Sequence, residues 1–187
     1  CLVTGHRRGQ SGKLKGYHMT GLKLCGIIMI VSALSMTGAA MSEELLKRVK
    51  TVEMLINLTE DFSNMIRYKA MTIADIISIA GENPEYEPLD FIEYINSEDK
   101  TERNIHDIWS ESVEKSSVLG KKEAEIMLSF GNMLGTSDIS GQLSSIEIYK
   151  KRLENLLAEF RNDYQQKGRM YRSVGMLLGI MAGIMLL

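Results

Sequence analysis

The stretch "LLKRVKTVEMLINLTEDFSNMI" (residues 45–66) decides the fold, because its apolar side chains recur mostly at steps of three and four residues. These side chains are Leu45, Val49, Val52, Leu55, Ile56, Phe62 and Ile66. Such spacing is typical of a helix that buries one face. A second stretch repeats it with Leu143, Ile146, Tyr149, Leu153, Leu156, Leu157, Phe160 and Tyr164. The sequence therefore predicts an all-α protein with two long amphipathic helices.

Shorter helices are predicted between the two long ones. Thr72, with Asp75 three residues on, offers an N-cap for the first of them. Further helices are predicted over 89–95, 102–113 and 121–134, so that about six helices form one bundle. If the apolar stripes of the long helices face each other, they form an antiparallel, coiled-coil-like stalk. The alternative is that each stripe packs only on the short helices.

Both ends of the chain carry apolar segments. Residues 24–41 are eighteen positions without a charge, or about 27 Å of helix, close to the thickness of a bilayer core. We therefore expect a transmembrane helix over 22–41. The last fifteen residues, 173–187, make about 22 Å of helix, and they span only if Arg169 and Arg172 snorkel. A second transmembrane helix is predicted there, and a buried or interfacial helix is the alternative.

Charge next to the apolar segments predicts the topology. Residues 1–18 show no periodicity, and we interpret them as extraneous sequence upstream of a start at Met19. The positive-inside rule then places the domain over 42–172 in the cytoplasm, because its flanks are basic: Lys47, Arg48, Lys50, Lys167, Arg169 and Arg172. A cleaved signal peptide over the first segment is the alternative, and it would export the domain.

The domain is acidic, which argues against a nucleic-acid partner. Residues 42–172 hold seventeen basic and twenty-four acidic residues, a balance of −7. Residues 82–114 alone hold eleven acids against Lys100 and Arg103, a balance of −9. Such a segment suits docking to a basic partner, and a solvated face is the alternative. The candidate partner surface comprises Glu82, Glu85, Glu87 and Asp90.

Glycine recurs every four residues in the last segment, at Gly175, Gly179 and Gly183. Glycines at this spacing let another helix approach closely. We expect a helix-packing face, which would meet the first segment of the same chain or a neighbour's helix in a homo-oligomer. The alternative is the general abundance of glycine in membrane helices.

No pattern in the sequence indicates catalysis. His106 is the only histidine of the domain, and a lone histidine near Trp109 is typically structural. Phosphate-loop, nucleophile and metal-ligand motifs do not occur. We therefore expect no enzyme, no cofactor and no metal site.

Three segments resemble the stage III sporulation protein AB family: "LKLCGIIMIVSALSMTG" (22–38), "EAEIMLSFGNMLGTSD" (123–138) and "KGRMYRSVGMLLGIMAGIMLL" (167–187). The most specific part is a signature of Phe130, Gly131, Leu134, Gly135 and Asp138. We expect these residues to be structural, with Gly131 and Gly135 letting their helix pack on the last long helix and Asp138 capping the helix that follows.

The resemblance implies a membrane protein of endospore-forming bacteria, in the mother-cell half of a channel that joins mother cell and forespore. It also implies a cytoplasmic domain similar to the six-helix bundle of type II secretion platform proteins. The implied partners are a cognate ATPase, the other membrane components and lipid. The function expected is therefore that of a non-enzymatic platform subunit. An exported, tail-anchored binding or sensor protein is the alternative.

Overall fold

The computed structural model describes residues 11–69, 71–98 and 103–185, and in these ranges every regular element is a helix. The all-α prediction is thus confirmed. The helices are α1 (Ser11–Lys69), α2 (Ile73–Glu82), α3 (Asp90–Ser97), α4 (Ile105–Lys115), α5 (Lys121–Met133), α6 (Ile139–Asp163) and α7 (Arg169–Met185). A 3-10 turn (Pro84–Tyr86) precedes α3, and a π-helical turn (Tyr164–Gly168) separates α6 from α7.

The chain divides into two compact units. The bundle unit is Leu45–Tyr164, and the apolar unit is Cys1–Glu44 with Gln165–Leu187. Six helices contribute to the bundle unit, the number that the sequence predicted. Residues 11–18, interpreted above as extraneous, belong to α1, whereas residues 1–10 lie outside the described residues.

An aromatic cluster forms the centre of the bundle unit. The rings of Phe62 and Phe130 lie 5.6 Å apart, and Trp109 lies 5.7 Å from Phe91, both pairs close to edge-on. Tyr149 meets Phe130 in the same way at 5.8 Å. These five rings come from five helices, α1, α3, α4, α5 and α6. Such edge-to-face pairs add to the burial of apolar area, so the cluster ties the short helices to the long ones.

The long helices of the bundle unit run antiparallel. Glu53 of α1 pairs with Arg161 of α6 at 2.5 Å, whereas Glu60 pairs with Lys150 at 2.5 Å. Residue numbers therefore rise along α1 as they fall along α6. The apolar stripes of the two helices also pack on the short helices, because Phe62 contacts Trp109 of α4 and Tyr149 contacts Phe130 of α5.

Within the part of the chain that the structure describes, no helix combines the length and the apolar character needed to cross a membrane. The predicted transmembrane helices over 22–41 and 173–187 are therefore not supported. The predicted boundary between residues 41 and 42 is also not a helix end, since α1 continues through it. Residues 42–50 are mostly good helix formers and carry no stop signal.

Candidate interaction surfaces

A cleft lies at the acidic segment where α2 ends and α3 begins. Asn83 ends α2, and its side chain accepts a hydrogen bond from the backbone N–H of Glu85 at 3.0 Å, which starts the 3-10 turn. Pro84 occupies the first position of that turn, where its missing N–H costs nothing. The cleft has a volume of about 410 Å³ and is lined by Gly81, Glu82, Asn83, Pro84, Tyr86, Glu87, Ile92, Glu93 and Asn96. We call it the acidic cleft.

Tyr86 fixes the acidic cleft to the long helix α1. Its side chain is buried, and its hydroxyl donates a hydrogen bond to Asp61 Oδ2 at 2.7 Å. Burial, together with this hydrogen bond, raises the pKa of Tyr86 above its usual value. The hydroxyl is therefore protonated at neutral pH and remains a donor to Asp61.

Three carboxylates line the acidic cleft, those of Glu82, Glu87 and Glu93. Each is exposed, and none has a hydrogen bond or an ion pair with another described residue. Pro84 and Ile92 add apolar atoms to the same wall. A cleft lined by both carboxylates and apolar atoms suits a lysine or arginine side chain, whose stem is apolar and whose head is positive.

Two of the four residues predicted for a partner surface line the acidic cleft, namely Glu82 and Glu87. Glu85 instead accepts a hydrogen bond from Asn57 Nδ2 at 2.6 Å, so it braces the 3-10 turn against α1. Glu93 lines the cleft although the sequence did not single it out. The available signal was its place within the acidic segment 82–114.

Asp90, the fourth predicted residue, is held inside the bundle unit. It accepts hydrogen bonds from the hydroxyl of Ser116, from the Ser117 backbone N–H at 2.7 Å and from the Ser117 hydroxyl at 2.8 Å. Partial burial acts to raise the pKa of Asp90, but these hydrogen bonds outweigh it and hold the pKa below its ordinary value. Asp90 therefore braces the turn after α4 rather than offering a free charge.

The remaining charge of the acidic segment is partly neutralised within the chain. Glu111 accepts from Lys115 at 2.5 Å, from Arg103 at 2.6 Å and from the Tyr94 hydroxyl at 3.1 Å. These three hydrogen bonds lower the pKa of Glu111 to about 2. Arg103 also pairs with Glu98 at 3.1 Å. Glu98 and Glu111 are thus paired within the chain, whereas Glu82, Glu87 and Glu93 at the acidic cleft have no partner among the described residues.

The signature residues between α5 and α6 serve the fold. Phe130 and Leu134 are buried, and Asp138 caps α6 by accepting from the Gly141 N–H at 3.1 Å. Gly135 has a φ of +74° and follows the end of α5, so it shares no helix face with Gly131. A β-carbon on Gly131 would meet the indole of Trp109 on α4. Because α5 ends at Met133, Gly135 lies beyond the helix and the two glycines do not form the shared packing face that the sequence predicted.

His106 has a structural partner as well. Its Nδ1 lies 2.9 Å from the Gly131 carbonyl oxygen, at the carboxyl end of α5. Among the described residues, no three or more His, Cys, Asp or Glu side chains are grouped to hold a metal ion.

In the apolar unit, one predicted packing glycine meets the first segment. A β-carbon on Gly38 of α1 would lie 2.6 Å from the Tyr171 carbonyl oxygen and 3.6 Å from the Gly175 Cα. Gly179 is buried, and the surroundings of Gly183 lie outside the described residues. The outer surface of α7 is apolar, with at least 44% exposure at Met170, Val174, Met176, Leu177, Leu178, Ile180, Met181 and Ile184.

The fold and these surfaces define a class of protein: a helical protein with a bundle unit, an apolar unit and an acidic cleft whose carboxylates have no partner among the described residues. The chain belongs to the stage III sporulation protein AB family, whose profile matches residues 23–187. No curated protein and no solved structure gives a match. Membership of this family supports a role in sporulation.

Proposed function

We propose that the protein is a non-enzymatic platform subunit of the channel complex between mother cell and forespore. In this proposal the apolar unit anchors it in the mother-cell membrane around the forespore. The bundle unit lies in the cytoplasm and docks the cognate ATPase. The observation that carries the proposal is the exposed apolar surface of α7.

The exposed apolar surface of α7 is expected to contact lipid or another protein. Single exposed apolar side chains are ordinary on soluble proteins, but a contiguous apolar surface marks contact with protein or membrane. Eight large apolar side chains of α7 are exposed, and Ile28, Met29 and Met36 of α1 are 60–73% exposed. We propose that lipid covers this surface, because exposed apolar side chains lie on both helices of the apolar unit. The close contact of Gly38 is with Tyr171 and Gly175 of the same unit, so it does not cover these side chains.

The acidic cleft is the docking surface we propose for the ATPase. Its three carboxylates lack internal partners, so a basic surface can pair with them without breaking any contact of the bundle. Charge complementarity of this kind raises the rate of encounter and selects the partner. The likeness to type II secretion platforms remains a prediction from the resemblance.

Membrane attachment is tested on the full chain. Washed membranes are treated with alkaline carbonate, and the intact polypeptide is expected to stay in the pellet. A reporter inserted at Ser137, an exposed position between α5 and α6, is expected to show cytoplasmic-type activity. Release into the carbonate supernatant would overturn the anchoring, and exported-type activity would favour the tail-anchored sensor instead.

Docking is tested by recovering the ATPase with the detergent-solubilised full chain. A double variant with Glu82→Gln and Glu87→Gln is expected to recover less ATPase and to show a flatter dependence on salt. The matched control changes the same charge elsewhere, with Glu125→Gln and Glu147→Gln, both exposed. Equal recovery of the ATPase with the two double variants would show that the docking surface lies outside the acidic cleft.

A further inference from the structure

Gly38 sits at a point of very close approach between α1 and α7. The hydrogen that a β-carbon would replace points at the Tyr171 carbonyl, since that carbon would lie only 2.6 Å from the oxygen. Contacts below 3.0 Å essentially do not occur for real β-carbons, and the atom met here is backbone, which no side-chain rotation can move. Only glycine fits at this position unless the helices move apart.

Other small residues, one turn from this contact on each helix, are buried as well. Ser42 lies one turn beyond Gly38 on α1 and is fully buried, at 0% exposure. Gly179 lies one turn beyond Gly175 on α7 and is also buried. The neighbours of Gly175 in sequence, Val174 and Met176, are 44% and 61% exposed. One face of α7 is therefore covered, and the adjoining faces are not.

We propose that α1 of the same chain closes the glycine face of α7, so that this face is not the contact between copies. We call Gly38, Ser42, Gly175 and Gly179 the glycine seam. Small residues four apart allow two helices to approach until backbone atoms touch, and Cα–H···O contacts then add to the packing. A helix of a neighbouring subunit cannot enter a face that α1 already occupies. A helix of a neighbouring subunit would therefore meet the Met, Leu and Ile side chains of α7 that lipid otherwise covers.

Nitroxide labels distinguish contact within a chain from contact between chains. The labels are placed on the full chain at Thr37→Cys and Val174→Cys, both exposed positions, after Cys1→Ser and Cys25→Ser remove the native thiols. Helices in contact have axes about 8–10 Å apart, so a short dipolar distance is expected. That distance should persist after the labelled protein is diluted with an excess of unlabelled protein. Its loss on dilution would overturn the proposal, and so would its absence.

Glycine variants provide the control. Gly38→Leu is expected to abolish the short distance, whereas Gly26→Leu is expected to retain it, because a β-carbon at Gly26 meets nothing within 4 Å. If Gly38→Leu does not fold, the dilution experiment on the chain with its natural glycines still decides the question. Neither readout involves the ATPase, so failure of this inference is separate from failure of the platform proposal.

Discussion

The indole of Trp109 lies where a β-carbon of Gly131 would be. Such a carbon would fall far inside the 3.0 Å limit of real contacts, against Cδ1 and Nε1 of the ring. The same Nε1 donates a hydrogen bond to the Met127 carbonyl at 2.7 Å, one turn earlier on α5. Trp109 is thus held in place by the helix it touches, and the absence of a side chain at Gly131 makes room for it.

Replacing Gly131 with alanine is expected to destabilise the bundle unit. Alanine in a helix interior normally gains about 1 kcal/mol over glycine. Here the added methyl must displace a buried tryptophan at the centre of the aromatic cluster, and overpacking of this kind costs about 1–3 kcal/mol. Thermal and denaturant unfolding of the full chain measure the balance. Asn132→Ala, at the exposed neighbouring position, should stay near the parent, and a more stable Gly131→Ala variant would contradict the packing described.

Gly135 is expected to resist substitution for a different reason. Its φ of +74° lies in the left-handed region, which costs a residue with a β-carbon about 1–2 kcal/mol. A β-carbon there would also lie 3.0 Å from Cδ1 of Ile73. Gly135→Ala should therefore lower the free energy of unfolding. Gly135→Asn is the discriminating variant, because asparagine tolerates this region better. Equal losses for the two variants would assign the cost to the contact with Ile73 rather than to the backbone.

Local patterns in the sequence were enough for the buried face of α1 in the bundle unit and for the caps at Thr72 and Asp138. The three-four spacing over 45–66 matches the buried face of α1, on which Val52, Leu55 and Phe62 are fully buried. Thr72 caps α2 by accepting from the Asp75 N–H at 3.2 Å. These features depend on residues a few positions apart, which a single sequence displays directly.

The long-range contacts were not predictable in the same way. Asp90 and its hydrogen-bond partners Ser116 and Ser117 are 26 and 27 residues apart, and nothing in their spacing distinguishes them from other acids and serines. Asp90 was therefore grouped with a partner surface. Trp109 and Gly131 meet only after α4 and α5 have packed, so the spacing of the sequence did not indicate that contact. The roles of Asp90 and Gly131 depend on these tertiary contacts, which local spacing does not reveal.

Asp90 is expected to make stability depend on pH. Its pKa is lower in the folded chain than in the unfolded chain, so its contribution is fully present above the unfolded pKa of about 4. That contribution is lost as the pH falls through the folded value. Asp90→Asn should therefore be less stable than the parent at neutral pH, and the difference should shrink below about pH 4. Denaturant unfolding at several pH values measures it.

Glu93→Gln serves as the control for Asp90, because Glu93 is exposed on the same helix and has no described partner. The difference in the free energy of unfolding between Glu93→Gln and the parent should be small at every pH. If the difference in the free energy of unfolding between Asp90→Asn and the parent stays constant below about pH 4, the serines do not stabilise the charge of the carboxylate.

The buried side chain of Glu123 is expected to lower the free energy of unfolding. It is 1% exposed in the first turn of α5, and its Oε1 is buried without a hydrogen-bond partner among the described residues. The positive end of the helix dipole offsets part of the cost, by about 0.3–1 kcal/mol. An unsatisfied buried acceptor costs about 1–3 kcal/mol, and more when it is charged. Glu123→Met removes the acceptor and keeps an unbranched side chain of similar length, so the free energy of unfolding should rise.

The matched control is Glu125→Met, two residues on and exposed, which should change stability by less than about 0.5 kcal/mol. A clear loss of stability with Glu123→Met would contradict this account. It would mean that the carboxylate has a partner in solution, such as a buried water, since polar groups at full burial are otherwise satisfied. Glu123 is buried and Glu125 is exposed, so the comparison measures the cost of burying the unsatisfied acceptor.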